Sequence, residues 1–385
     1  MRPTNFEIAF HGYANKKRVD DDKIYSILSS LNSLIQGISS PKADIRNSAL
    51  RHLNDILLKN YLGEKINGHI DPLVASLRDI YINDKSSKSE IDLSLNIFCI
   101  LSLHSFNEFR ESALILKRDL MPTGNHPCPF PLAFVSCFSL SDEEIVDNLI
   151  QSINNLKTVN QDLIRSITIL VSFAPENFVY EISENIFQII QNNLTKNVRA
   201  PIVTAILDLF LCTFDALQNC HMRKSSIEEQ NSDAIDNDRN VAIDFANKCR
   251  QFIENVEKSI QKKADQKTIR SQSAETLRIV DGTSEKTFDF AFGVQHVTIK
   301  GSRKVFVLNT IKKIAQKNFL NHLAENIYLQ EMLGFTLLKQ EDAVKMEKRF
   351  KSEISSKHMM TKKERELAIS KQRKQKEERE TADDF

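Results

Sequence analysis

The sequence predicts an all-α protein, and three observations predict it. Apolar residues recur at helical spacing through most of its 385 residues. Gly and Pro are scarce at nine each, too few for the many turns of a barrel or sandwich. Of the residues, 41% are hydrophobic and 27% charged, the balance of a chain that can bury a core.

Residues 1–20 read as a polar lead-in. From Asp21 the helical period begins, with Ile24, Ile27, Leu28, Leu31, Leu34 and Ile35, and Gly37 is expected to end that helix. Ser40-Pro41 then predicts the next start, Ser as N-cap and Pro at the first helical position, ahead of the stripe Ile45, Ala49, Leu53, Ile56 and Leu57. Further helices are expected over 66–82 and 89–105. The prolines at 122, 127, 129 and 131 break the pattern, and 121–131 reads as an ordered crossing loop. Asp142-Glu143-Glu144 opens the next helix, its carboxylates suited to the N-terminal dipole. The periods then run to residue 217 as paired segments of solenoid length, as in armadillo or HEAT arrays, although no strict repeat motif is present.

Residues 222–240 are polar and acidic and read as a flexible insertion in a helical region spanning 21–262. A small helical C-terminal domain is expected over 263–340 and a basic helical tail over 341–385. The short run 289–299 fits strand or helix equally.

Several function classes find no support. No H-E-x-x-H, phosphate-binding loop or dinucleotide fingerprint occurs, so no catalytic residue, cofactor, metal or small-molecule substrate is expected. The nine histidines are scattered, and His104, His126, His221 and His322 read as structural. The six cysteines form no C-x-x-C, which predicts free thiols in a reducing compartment and neither disulfides nor zinc. Residues 1–20 lack the apolar core of a signal peptide, and no run approaches 18 consecutive apolar residues, so neither secretion nor a membrane partner is expected.

Charge is informative only locally. The net charge is +1, yet residues 344–376 hold twelve Lys+Arg against four Asp+Glu, a local +8 that leaves −7 elsewhere. A basic arm on a mildly acidic body is what a chain needs when the arm alone meets a polyanion. The arm has no Gly or Pro. As one helix, its 33 residues would reach about 50 Å, enough to line an RNA-walled channel. Its candidate phosphate-binding residues are Lys348, Arg349, Lys351, Lys357, Lys362, Lys363, Arg365, Lys371, Arg373, Lys374 and Lys376. Without aromatic platforms, such binding would read backbone and shape rather than base sequence.

The order of these parts resembles the interferon-related developmental regulator family. The N-terminal match runs from Ser40-Pro41-Lys42-Ala43-Asp44-Ile45 into Arg46-Asn47-Ser48-Ala49-Leu50, with Leu53 and Tyr61-Leu62 behind it. The C-terminal match is His322-Leu323-Ala324-Glu325-Asn326 with Leu329. In the tail it is Phe350, Ser355-Ser356, Lys362-Lys363 and Lys371-x-Arg373-Lys374. The chain departs from the family at a tryptophan position, near Ser302, and at a Gln-Tyr pair, near Val307-Leu308. It also lacks a glycine-rich turn, with Gln316 and Asn318 there, and its Leu333-Gly334 falls about two residues early.

The resemblance implies a non-enzymatic, cytoplasmic, hibernation-type factor whose partner is the ribosome. Such a factor occupies the P- and E-site region, contacts rRNA and ribosomal proteins, represses translation and inserts the C-terminal helix into the mRNA channel. It also implies an alternative role, a nuclear or cytoplasmic protein–protein adaptor or transcriptional co-regulator, for which Lys371–Lys376 would serve as a localisation signal. By the same resemblance, His322, Leu323, Glu325 and Asn326 form the motif of the C-terminal domain. Packing is the favoured reading of that motif over RNA contact, with Asn318 expected to cap a helix carrying Leu320, Leu323 and Ile327.

Overall fold

A computed structural model describes residues 21–106, 108–121, 127–155, 160–193, 199–227, 232–259, 263–292 and 295–337. The eleven tail cations from Lys348 to Lys376 lie outside the described residues. Packing divides the chain into two units, one of Val19–Phe288 with Thr298–Phe335, the other of Met1–Arg18, Asp289–Val297 and Thr336–Phe385.

The larger unit is mostly helical. Its helices are α1 (Asp21–Ile38), α2 (Ala43–Lys59), α3 (Asn67–Tyr81), α4 (Lys88–His104), α5 (Arg110–Leu120), α6 (Phe130–Ser139), α7 (Asp142–Asn154), α8 (Gln161–Phe173), α9 (Glu176–Asn193), α10 (Ala200–Ile227), α11 (Ser232–Ser259) and α12 (Lys263–Val280). After a two-stranded sheet, β1 (Thr287–Phe292) and β2 (Gln295–Lys300), come α13 (Ser302–Ala315), α14 (Phe319–Glu325) and α15 (Ile327–Leu333). Single 3-10 turns stand at Gly63–Ile66 and Gln316–Asn318.

Local sequence sets several boundaries. Ser87 with Glu90 and Ser141 with Glu144 form reciprocal capping boxes that start α4 and α7, and Asn160 caps α8 through Leu163 N–H at 2.9 Å. Ser141→Ala should therefore cost about 1 kcal/mol in urea unfolding, because its hydroxyl satisfies an otherwise unpaired helix N–H. An unchanged midpoint would show that water replaces it without loss.

Two expectations shift by a residue or two. α2 begins at Ala43 with Lys42 as its N-cap residue, not at Pro41, and Ser40 Oγ instead accepts the Lys42 N–H at 3.3 Å. Arg46 reaches back from the first turn of α2 to the carbonyls of Ser40 and Pro41, at 3.1 and 3.0 Å, and pairs with Glu90. Gly37 does not end α1 but lies inside it, where a Cβ would come within 2.9 Å of the Ala49 methyl. Glycine there permits close approach of α1 and α2. The buried stripe of α2 is Ala49, Leu50, Leu53, Leu57 and Leu58, while Ile45 is exposed.

Helices α2, α4, α6, α8, α10 and α12 pack in succession, each against the next. Each is also packed by the helix preceding it in sequence, α1, α3, α5, α7, α9 and α11. Leu53, Phe98, Phe134, Leu170 and Phe210 are fully buried along the successive helices. One stretch among the described residues, Ala200–Cys220 in α10, is long and apolar enough to cross a membrane. It is 72% buried, packed by α8, α9, α11 and α12. The six cysteines are free and buried. Burial pushes the Cys99 thiol up to about 12, as expected of small core hydrophobes rather than nucleophiles.

The polar stretch 222–240 is largely helical: α10 runs to Ile227 and α11 starts at Ser232. Helix is present on both sides of 228–231 because Ser, Asn and Asp lower helix propensity only modestly, and here they extend helices anchored in apolar packing at their other ends. Residues 263–288 and 298–335 pack as part of the larger unit, with α12 along α10 and α11 and α13 across α10, α8 and α4.

In the second unit, the described residues belong to the sheet and to 336–337. Of the stretch 289–299, residues 289–292 and 295–299 are strand, with Phe290, Val297 and Ile299 buried. Within that unit the Phe290 and Phe292 rings lie 5.5 Å apart, edge to face, and Gln295 Nε2 donates to Thr336 O at 2.8 Å.

Candidate functional site

A helix leaves its last carbonyls without intrahelical donors, and buried carbonyls must find other donors. At the end of α2 the carbonyls of Leu57 and Leu58 do so, while Ile56 O keeps the Asn60 backbone N–H at 3.0 Å and gains a second donor. Ile56 O accepts from the Asn60 side chain at 2.9 Å, Leu57 O from His104 at 3.1 Å, and Leu58 O from His322 at 3.0 Å. The donors come from three places in the sequence: just after α2, the end of α4, and α14.

The hydrogen bonds fix the His104 tautomer. Its Nδ1 accepts the Leu62 N–H at 3.0 Å, so the proton sits on Nε2 and is donated to Leu57 O. His322 Nε2 likewise carries a proton toward Leu58 O, while its Nδ1 is buried with no hydrogen-bond partner. The imidazoles meet edge to face with centroids 5.1 Å apart, and Tyr61 stacks on His104 at 5.3 Å and 18°. Burial, followed by the neighbouring His322, holds the His104 pKa well below the usual imidazole value. Burial likewise lowers that of His322. Tyr61 is pushed up to about 12, first by burial and then by Tyr328, Glu325 and Glu64.

Four residues after His322, Asn326 uses both ends of its amide. Its Nδ2 donates to Leu103 O in the last turn of α4 at 2.7 Å, and its Oδ1 accepts the Leu329 N–H at 3.1 Å, capping α15. Gln330 then returns to the end of α14, donating to Leu323 O and Ala324 O at 3.0 Å each. His322 and Asn326 thus tie α14 and α15 to the C-terminal ends of α2 and α4.

The structure brings together three of the four expected motif residues. His322, Leu323 and Asn326 are fully buried, whereas Glu325 is exposed. Asn318 makes no side-chain cap; Asn326 performs that task one helix later. Ile327, expected on the buried face, is 66% exposed, because the break at Asn326 rotates α15 relative to α14.

A second anchor lies at the start of α13. Arg303 is buried, and its guanidinium donates to Ser172 O at 3.1 Å and to Ala174 O, at the end of α8, while pairing with Glu176 at 3.1 Å. Its backbone N–H donates to Asp215 of α10 at 3.0 Å, so a carboxylate from another helix caps α13. Burial raises the pKa of Asp215. Sequence reasoning missed His104 as a partner of His322 and missed Arg303 and Asp215 altogether. The one local signal was an arginine two residues after a glycine, at a helix start.

Elsewhere, Arg78 donates twice to Asp119, which also accepts the Tyr81 hydroxyl at 2.8 Å, and this ties α3 to α5. Arg78 foremost holds the Asp119 carboxyl below its usual range. Beside the pair is an open cleft of about 270 Å³ lined by Asp71, Val74, Ala75, Arg78, Asp79, Ile115 and Arg118. Among the described residues no group of three or more His, Cys, Asp or Glu side chains is placed to hold a metal ion.

No protein-family model matches the chain. No curated protein matches it either. Among solved structures, a chain from work on the computational design of self-assembling cyclic protein homooligomers is similar to it at 13% identity and a TM-score of 0.22, covering 68% of this chain and 96% of that one.

Proposed function

We propose that this protein is a ribosome-binding, translation-silencing factor of the hibernation type, a divergent relative of the interferon-related developmental regulator family. Its body is an armadillo/HEAT-like α-solenoid that docks in the P/E-site region. Its basic segment 344–376 enters the mRNA channel, neutralises phosphates there and excludes message. Nothing is turned over; silencing is occlusion. The observation that carries the reading is the order of local matches along the chain, from Arg46-Asn47-Ser48-Ala49-Leu50 through His322-Leu323-Ala324-Glu325-Asn326 to the tail cations.

Two features support it. The succession α2, α4, α6, α8, α10, α12, each with its preceding helix alongside, is the pairing a solenoid uses. The His322 and Asn326 bonds to the ends of α2 and α4 give the motif a reason for its spacing, because four residues separate the two carbonyl-capping donors. On this reading the motif docks and the tail binds.

Gradient sedimentation tests the proposal. The protein should travel with monosomes and be absent from polysomes, and it should be released as salt rises. Recovery only in ribosome-free fractions at low salt would remove the ribosome reading and leave the adaptor reading in its place.

A further inference from the structure

We propose that His104 and His322 form an acid-sensitive latch, whose protonation releases α14 and α15 from the C-terminal ends of α2 and α4. The argument rests on how the four ring nitrogens are used. His104 has none to spare: Nε2–H donates to Leu57 O and Nδ1 accepts the Leu62 N–H. A second proton on His104 requires that the Leu62 bond break. His322 has one spare nitrogen, Nδ1, but it is buried and faces no acceptor. A proton placed there would be an unpaired donor on a buried cation, with the His104 ring 5.1 Å away.

One force favours the charged form. Both imidazoles donate to the end of α2, where the helix dipole stabilises a cation. Burial outweighs it, since both pKa values fall below that of free imidazole. The ionisable groups on the surrounding elements are Asp55 and Lys59 of α2, Tyr61, Glu64 and Lys65 before α3, Lys317 before α14, Glu325 and Tyr328. Asp55 and Lys59 pair with each other at 3.0 Å on the exposed side. Tyr61 stays protonated, being pushed up to about 12. Glu64 and Glu325 are exposed, outside the buried pair.

The sign follows from linkage. Released imidazoles bind protons near pH 6.5, whereas docked ones bind them only at lower pH. The equilibrium for release is therefore flat above about pH 6.5 and rises as pH falls, by up to roughly a hundredfold per pH unit when two protons are taken up. The segment most exposed to this linkage is the one holding Asn326 and Gln330, whose bonds to the ends of α4 and α14 depend on the same docking.

Hydrogen exchange on the full-length protein between pH 7.5 and 5.5, corrected for the intrinsic pH dependence of exchange, tests the latch. Peptides covering 57–66 and 319–333 should lose protection steeply below about pH 6.5 while peptides of α8 and α10 keep theirs. His322→Gln keeps an N–H donor and removes one titrating group, so its slope should fall to roughly tenfold per unit. Should that variant already be undocked at pH 7.5, selective histidine NMR on the wild type decides. The buried pair must take up protons in the interval where 319–333 loses protection. Constant protection of 319–333 down to pH 5.5, an unchanged slope in His322→Gln, or a loss spread evenly through α8 and α10 would each overturn the latch.

Discussion

Replacing Arg303 by methionine will lower stability by about 3–5 kcal/mol, the largest effect expected of any single substitution in the body. The side chain is buried, and its guanidinium satisfies two carbonyls at the end of α8 and the Glu176 carboxylate. Methionine keeps much of the volume but leaves those acceptors without a donor, so the cost is desolvation without compensation. Arg303→Lys should recover only part of the loss, since one ammonium cannot span the positions the planar fork occupies. The thermal midpoint should fall on the order of 5–15 °C. A double-mutant cycle with Glu176→Gln should give a coupling of about 1–3 kcal/mol, with the remainder belonging to the carbonyls. A loss below about 1 kcal/mol for Arg303→Met would mean that the guanidinium is solvated and that α13 is anchored by apolar contacts alone.

Arg303 also marks the limit of what the sequence made legible. Helical periods depend on spacing within a segment, and they found α1 to α4 and α7 to α10, the last ten residues short at its end, but not α5 or α6. Capping is similarly local. Bonds such as Arg303 to Ser172, His322 to Leu58 and Asn326 to Leu103 join residues 131, 264 and 223 positions apart, and no local pattern encodes the partner. The polar run 222–227 and 232–240, helical in the structure, shows a related limit of local reading. Composition measures how weakly a segment favours a helix by itself, while α10 and α11 are held by packing elsewhere along their lengths. The break at Asn326 was hidden because Leu320, Leu323 and Ile327 keep a helical period straight across it.

The clamp gives the motif residues separate tasks and so separate tests. His322 and Asn326 each supply a donor to the end of a different helix, and Leu323 between them is fully buried. None of the three presents a polar atom outward, whereas Glu325 does. Changes at His322 or Asn326 should therefore act on binding only by way of docking. The cations of the tail are a third class. If the proposed silencing is correct, they act by direct contact, and their loss should leave the stability of the helical body unchanged.

Charge reversal of the tail is the prediction on which the proposed function turns. Lys362, Lys363, Arg365, Lys371, Arg373 and Lys374 changed together to Glu take residues 344–376 from +8 to −4, while keeping residues of good helix propensity. At about 0.5 kcal/mol for each solvated ion pair, losing six contacts alone costs about 3 kcal/mol, roughly a hundredfold in affinity, and repulsion from phosphate adds to that. The salt dependence gives an independent readout. Six phosphate contacts predict a log–log slope of roughly −4 to −5, which the reversed tail should lose. Removing residues 344–385 should act in the same direction and leave the melting of the body unchanged, because the segment carries few apolar residues at helical spacing. Body contacts with the ribosome would retain some affinity in both variants, so binding alone does not decide the matter. The deciding assay is exclusion: ribosomes preloaded with protein are challenged with labelled mRNA, and the reversed variant should admit message that the wild type keeps out. If it excludes message as fully as the wild type, the tail does not plug the channel, and the adaptor reading is the one to pursue.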